Sequence, residues 1–137
     1  MDYYQKEFAK LSEEFHEVMH EYPLFSEMID DIEEHDIKEI NELLGKNDEF
    51  YLKKAIEKLK KLIEYIKKMS SSINKEYETF DKLAGIWEKL ELKVSEEELK
   101  KINSQVKRAN SLIKKHDLKS LVEANRIMED LIKSNKK

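Results

Sequence analysis

The chain has 137 residues, 41% charged and 39% hydrophobic, with two Gly, one Pro and no Cys, a composition that reads as one domain's worth of nearly all helix. The absence of cysteine excludes a disulfide framework, a thiol nucleophile and Cys-ligated zinc or iron–sulfur. No run approaches the ~18 apolar residues of a membrane span, and the start, Met1-Asp2-Tyr3-Tyr4-Gln5-Lys6, lacks the basic and apolar regions of a signal peptide, so a cytoplasmic protein without membrane partners is expected.

The formal net charge of -4 conceals a split. Residues 1–49 carry 16 acids against 4 bases, residues 50–91 carry 7 against 10, and residues 92–137 carry 7 against 12. Acidic and basic helices facing each other within the fold are the preferred explanation, and an acidic partner for the basic part is the other.

Tyr4, Phe8, Leu11, Phe15, Val18 and Tyr22 recur at alternating steps of four and three, which predicts a first helix with one apolar stripe. Pro23 ends it at Tyr22, because a residue before proline is pushed out of the helical region. Leu24, Phe25, Met28, Ile29 and Ile32 predict a short second helix. After a break near Asp36 the pattern resumes with Ile37, Ile40, Leu43 and Leu44, and Gly45 is the expected C-terminal cap.

Asn47 and Asp48 are good N-caps for the next segment. There Leu52, Ile56, Leu59, Ile63, Ile66, Ser70, Ile73, Tyr77, Phe80, Ala84 and Trp87 alternate four and three without a slip, the a/d seam of a heptad repeat. Lys54, Lys61, Lys68, Lys75, Lys82 and Lys89 occupy the f position opposite that seam. Ser70-Ser71-Ser72 resembles a turn by propensity, yet seam and lysine row both pass through it in phase. A single helix over 48–91, about 65 Å long at 1.5 Å per residue, is therefore predicted.

Ser95 and Glu98 form a capping box ahead of a stripe of Leu99, Ile102, Val106, Ala109, Ile113 and His116. Asp117 caps a last helix with stripe Leu118, Leu121, Val122, Asn125, Met128 and Leu131, antiparallel to the one before. The expected fold is all-α, an elongated bundle of about five helices in one domain, 1–137. An acidic hairpin (1–47) and a basic hairpin (95–134) would share the long central helix.

The sharpest chemical motif is His16-Glu17-Val18-Met19-His20, an HExxH on a helix. In zinc peptidases two such histidines hold the metal from one helix face and the glutamate is the general base. The register opposes this, since Phe15, Val18 and Tyr22 own the buried stripe and His16 and His20 should point outward. A catalytic zinc also needs a third ligand and a shaped cavity. Pro23 and Ser26 stand where one extended form of the motif needs Gly and His, and Glu33, Glu34 and His35 lie in a solvated acidic run. His16 and His20 are kept as metal ligands only in an alternative reading, a zinc-dependent hydrolase.

Asp30, Asp31, Glu33, Glu34 and Asp36 lack the glycine and spaced glutamate of a calcium loop. The lysine row offers charge for a polyanion, a second alternative, but interleaved Glu57, Glu64 and Glu78 dilute it. With only Arg108 and Arg126 and with its aromatics on buried stripes, nucleic-acid reading is not expected. Tyr77, Phe80 and Trp87 are expected in the core, and two glycines with dispersed serines leave no phosphate loop or nucleophile elbow.

The hairpin from Ala109-Asn110-Ser111-Leu112-Ile113-Lys114-Lys115-His116-Asp117-Leu118 through Leu121, Ala124 and Ile127-Met128-Glu129-Asp130-Leu131 resembles helical C-terminal regions of Hsp70-like (DnaK-related) chaperones. Helix 1 leading into Glu21-Tyr22-Pro23-Leu24-Phe25 is similar to an aromatic-rich helix and turn upstream in such regions. The resemblance implies a partner-binding or regulatory module without ATPase activity, and none of the family's catalytic residues has a counterpart here. The expectation is a non-enzymatic helical protein–protein interaction module, of which a chaperone-associated adaptor is one form. It would have no cofactor and no catalytic residue, and a protein partner or a second copy would lie on whatever part of the seam stays uncovered.

Overall fold

A computed structural model of the chain describes residues 2–135 and is all-α. The helices are α1 (Asp2–Glu21), α2 (Ser26–Asp31), α3 (Lys38–Gly45), α4 (Glu49–Glu91), α5 (Glu96–Ile113) and α6 (Leu118–Asn135), with a π-helical stretch, Ile32–Ile37, running from α2 into α3. Among the described residues there is no strand, and no helix is long and apolar enough to cross a membrane. The chain divides into two compact units, one ending at Ser72 and the other beginning at Ile73, so α4 contributes a helix to each.

In the first unit Val18, Ile32, Ile40, Ala55, Leu59, Leu62, Ile63 and Ile66 form a core from α1, the α2–α3 segment and the first part of α4. Helix α1 ends before Pro23 as expected, its last bond running from the Tyr22 N–H to the Val18 carbonyl at 2.8 Å. The expected break near Asp36 does not occur. Ile32 and Ile37 are five residues apart, one more than an α-helix needs to return to the same face, and an i→i+5 turn absorbs the extra residue. The helix thereby keeps Ile32 (1% exposed) and Ile40 (3%) in the core, with Ile37 packed against it.

Gly45 is not the left-handed cap, for it lies inside the last turn of α3. Asn47 takes that conformation instead, with φ 51°. Asparagine tolerates this region better than most residues. Asp48 then starts α4, its Oδ1 accepting the Phe50 N–H at 2.8 Å.

Helix α4 is unbroken through Ser70-Ser71-Ser72, as the phase requires. In its first part position g joins the seam, with Ala55 fully buried and Leu62 6% exposed. Position e faces α1, where Lys60 meets Glu7 at 3.1 Å, Lys67 meets Glu14 at 3.7 Å and the Lys53 ammonium lies 4.9 Å from the Tyr4 ring centre. From the Glu7–Lys60 pair to the Glu14–Lys67 pair both partners advance by seven residues, so α1 and α4 run in the same direction. On the other flank Lys58 pairs with Glu39 of α3. Acidic helices thus face basic positions within this unit, although such exposed pairs contribute only about 0–1 kcal/mol each.

The second unit packs the end of α4 against α5 and α6 around Trp87, Ala109, Ala124, Met128 and Leu131. Ala109 and Ala124 are fully buried, and their small side chains let the helices approach closely. The Ser95 hydroxyl accepts the Glu98 N–H at 3.3 Å. Asp117 caps α6 through Oδ1, which accepts the Ser120 N–H at 2.7 Å, and Oδ2, which accepts the Ser120 hydroxyl at 2.9 Å. Those bonds, the backbone one first, hold its carboxyl below the usual range, aided by Lys115 and Lys119.

Two stripe positions differ from expectation. His116 is not on the α5 stripe, because α5 ends at Ile113 and His116 turns the chain with φ 55°. Val122 is 48% exposed, while Ala124 and Ile132 take the buried places. The stripe centred on Leu121, Asn125 and Met128 has room on only one flank, and Val122 falls on the other.

Candidate functional site

Helix α1 carries more apolar surface than α4 covers. Val18 is buried, but Phe8, Leu11, Phe15, Met19 and Tyr22 are only partly so. At 100° per residue Leu11 and Val18 share the line toward α4, whereas Phe8, Ser12, Phe15 and Met19 lie roughly a quarter-turn away. That second line borders a cleft of about 380 Å³ whose other wall is Glu33, Ile37, Ile40, Asn41 and Leu44 and whose floor includes Leu59. The π-helical stretch supplies Glu33 and Ile37 to this wall, so the extra residue in the α2–α3 segment shapes the site.

A smaller hollow of about 150 Å³ shares Phe8 and Leu44 with the cleft and continues it past Gln5 to Leu43, Asn47, Asp48 and Leu52. On the outer side, the surface passes over Ile37 and Asn41 onto an open concavity bordered by Glu33, Glu34, Lys38 and Glu42. Glu33, Glu34 and Glu42 are exposed, and none makes an ion pair among the described residues. The acids of α1 and α3 that face α4, by contrast, are paired with lysine.

His16, Glu17 and His20 are all exposed, as the register of the stripe demands. His16 stands on the cleft wall with Glu33, while His20 does not line it. Among the described residues no three His, Asp or Glu side chains gather as a metal-binding group. His16 packs edge-on to Phe15, with ring centres 5.8 Å apart, which is a wall residue's environment.

The lysines at 54, 61, 68, 75, 82 and 89 are each exposed, and so are the interleaved Glu57, Glu64 and Glu78. Trp87 is buried, and Tyr77 and Phe80 are partly buried. Among the described residues two buried side-chain polar atoms have no hydrogen-bond partner, Ser70 Oγ and Asn125 Oδ1. The Asn125 amide nitrogen, however, donates to the Glu76 carbonyl at 2.9 Å and to Glu76 Oε2 at 2.6 Å, tying α6 to α4.

Sequence reasoning assigned α1 a single stripe and so missed the cleft. The signal was Met19, an apolar residue beside Val18 that widens the arc beyond what one neighbouring helix covers. Comparison with family models, curated proteins and solved structures finds no match for the chain.

Proposed function

We propose that the chain is a non-enzymatic helical protein–protein interaction module and that the cleft between α1 and the α2–α3 segment is where it binds. The supporting observation is an open groove walled by Phe8, Phe15, Met19, Ile37 and Leu44 in a unit whose core is already closed beneath it. Aromatic, methionine and branched side chains left partly open to water are the usual anchors of helix-in-groove recognition. His16 of the HExxH motif adds a polar edge to that groove, and the exposed lysines give α4 a solvated face. A chaperone-associated adaptor is one form of this reading, and it rests on the resemblance of residues 109–131 and of helix 1 with residues 21–25 alone.

A photo-crosslinking residue placed at Met19, with a matched one at exposed Lys101 on α5, tests the reading in cells. Protein adducts formed at position 19 and not at 101 are expected. Equal labelling at both positions, or none at 19, would refute it.

A further inference from the structure

We infer that the cleft selects a basic amphipathic helix of a different protein, a conclusion that rests on the cleft being an interaction site. Its shape sets the first requirement. From Gln5 to Met19 the groove follows α1 for about 21 Å at 1.5 Å per residue, the length of a helix of about 14 residues. Ser12 lies between Phe8 and Phe15 on that wall, so a notch separates two rings one heptad apart. An occupant with apolar anchors one turn apart fills the notch and both flanks.

Charge sets the second requirement. Glu33 stands on the cleft wall, and Glu34 and Glu42 border the concavity that adjoins it, all exposed and without an ion-pair partner among the described residues. Asp48 closes the far end, and among the described residues Lys38 is the one lysine or arginine on these walls, which also carry His16 and His35. Glu7, Glu14 and Glu39 of this unit, by contrast, pair with lysines of α4. An occupant with lysine or arginine along its outer edge therefore meets negative charge left over by the fold, which steers its approach and fixes its orientation.

A second copy does not meet both requirements. Its helices with a net positive charge are α4, with 10 bases against 8 acids, and α5, with 4 against 3, and their apolar stripes, including Leu59, Ile66, Trp87 and Ala109, are buried within the two units. The occupant is accordingly a segment of another protein that is unfolded or exposed before it binds.

Two fluorescein-labelled peptides of about 16 residues test this against the full chain, each with leucines at i, i+4, i+7 and i+11. One carries lysine on its remaining face and the other glutamate. The lysine peptide should bind about tenfold or more tightly than the glutamate peptide, with affinity falling as salt rises. The exposed triple variant E33K/E34K/E42K should reverse the preference, and Ser12→Trp, which fills the notch, should abolish binding of both, with the helical circular dichroism of each variant unchanged. Equal binding of the two peptides, binding of neither, or indifference to the triple variant would overturn the inference. So would concentration-dependent self-association lost in S12W, which would make a second copy the occupant. Position-19 adducts whose crosslinked segments are acidic would sink the basic-helix assignment and leave the interaction site standing, whereas absence of position-19 adducts removes the site itself.

Discussion

Replacing Ser70 with alanine should stabilise the unit that ends at Ser72. Ser70 is 0% exposed and its hydroxyl has no hydrogen-bond partner, at a seam position where the neighbours one step away, Ile66 and Ile73, are apolar and buried. A buried hydroxyl left unpaired costs about 1–3 kcal/mol, and serine is about 0.5 kcal/mol poorer than alanine inside a helix. Alanine forfeits the dispersion contacts of a single oxygen, each worth only about 0.1–0.2 kcal/mol. The net expectation for S70A is a gain of about 1–2 kcal/mol. Urea unfolding followed by far-UV circular dichroism should show a higher midpoint with an unchanged slope, and the thermal midpoint should rise by about 4 °C for each kcal/mol. Trp87 lies in the other unit, so its fluorescence shows whether that unit follows. A variant no more stable than the parent would refute the reasoning, because it would mean that the hydroxyl returns a hydrogen bond to a carbonyl one turn earlier, as mid-helix serines do.

Asn125→Ala should cost about 1–2 kcal/mol in chemical denaturation, since it removes the donor shared by the Glu76 carbonyl and carboxylate. Asn47→Val should destabilise by about 1–2 kcal/mol, because a branched side chain is strained at φ 51°, while Asn47→Gly should stay within about 0.5 kcal/mol of the parent by calorimetry. For Asp117 the folded carboxyl titrates below its ordinary value, so the unfolded chain binds more protons as the pH falls. Its contribution is complete above the unfolded value near 3.8 and fades as the pH drops through the lower folded value, and in D117N, which keeps a capping oxygen, that share of the acid sensitivity of the urea midpoint should vanish.

The helices were legible because each rests on local physics. The proline after Tyr22, the capping oxygens of Asp48, Ser95 and Asp117 and the unbroken phase through Ser70 all act within a turn or two of chain, where sequence spacing and spatial spacing coincide. The failures share a cause as well. The break expected near Asp36 is absent, although Ile32 and Ile37 are five residues apart and an α-helix cannot keep both on one face. A π-helical stretch can, and its cost is offset by the burial of Ile32 and Ile40, which depends on α1 and α4 and not on neighbours in sequence. Gly45 and His116 were misplaced by two residues or so because the left-handed residue is chosen by where the chain must turn, and Asn47 and His116 accept that geometry without glycine.

The cleft was harder to read for a different reason. An apolar stripe tells which side of a helix avoids water and leaves open what covers it. On α1, Leu11 and Val18 find α4, while Phe8, Phe15 and Met19 find a wall that stops short of closing over them. The charges divide along the same line. Glu7 and Glu14, on the α4 side, have lysines in register seven residues apart, whereas Glu33, Glu34 and Glu42, on the cleft side, have none. The first 49 residues hold 16 acids against 4 bases, more than the opposing lysines of α4 neutralise, and Glu33, Glu34 and Glu42 are among the acids left unpaired, beside apolar surface that is also left over. Packing and charge balance are separate demands on a fold, and this unit leaves partly open apolar side chains and unpaired carboxylates side by side at one groove, the two features on which the proposal of a basic amphipathic helix rests.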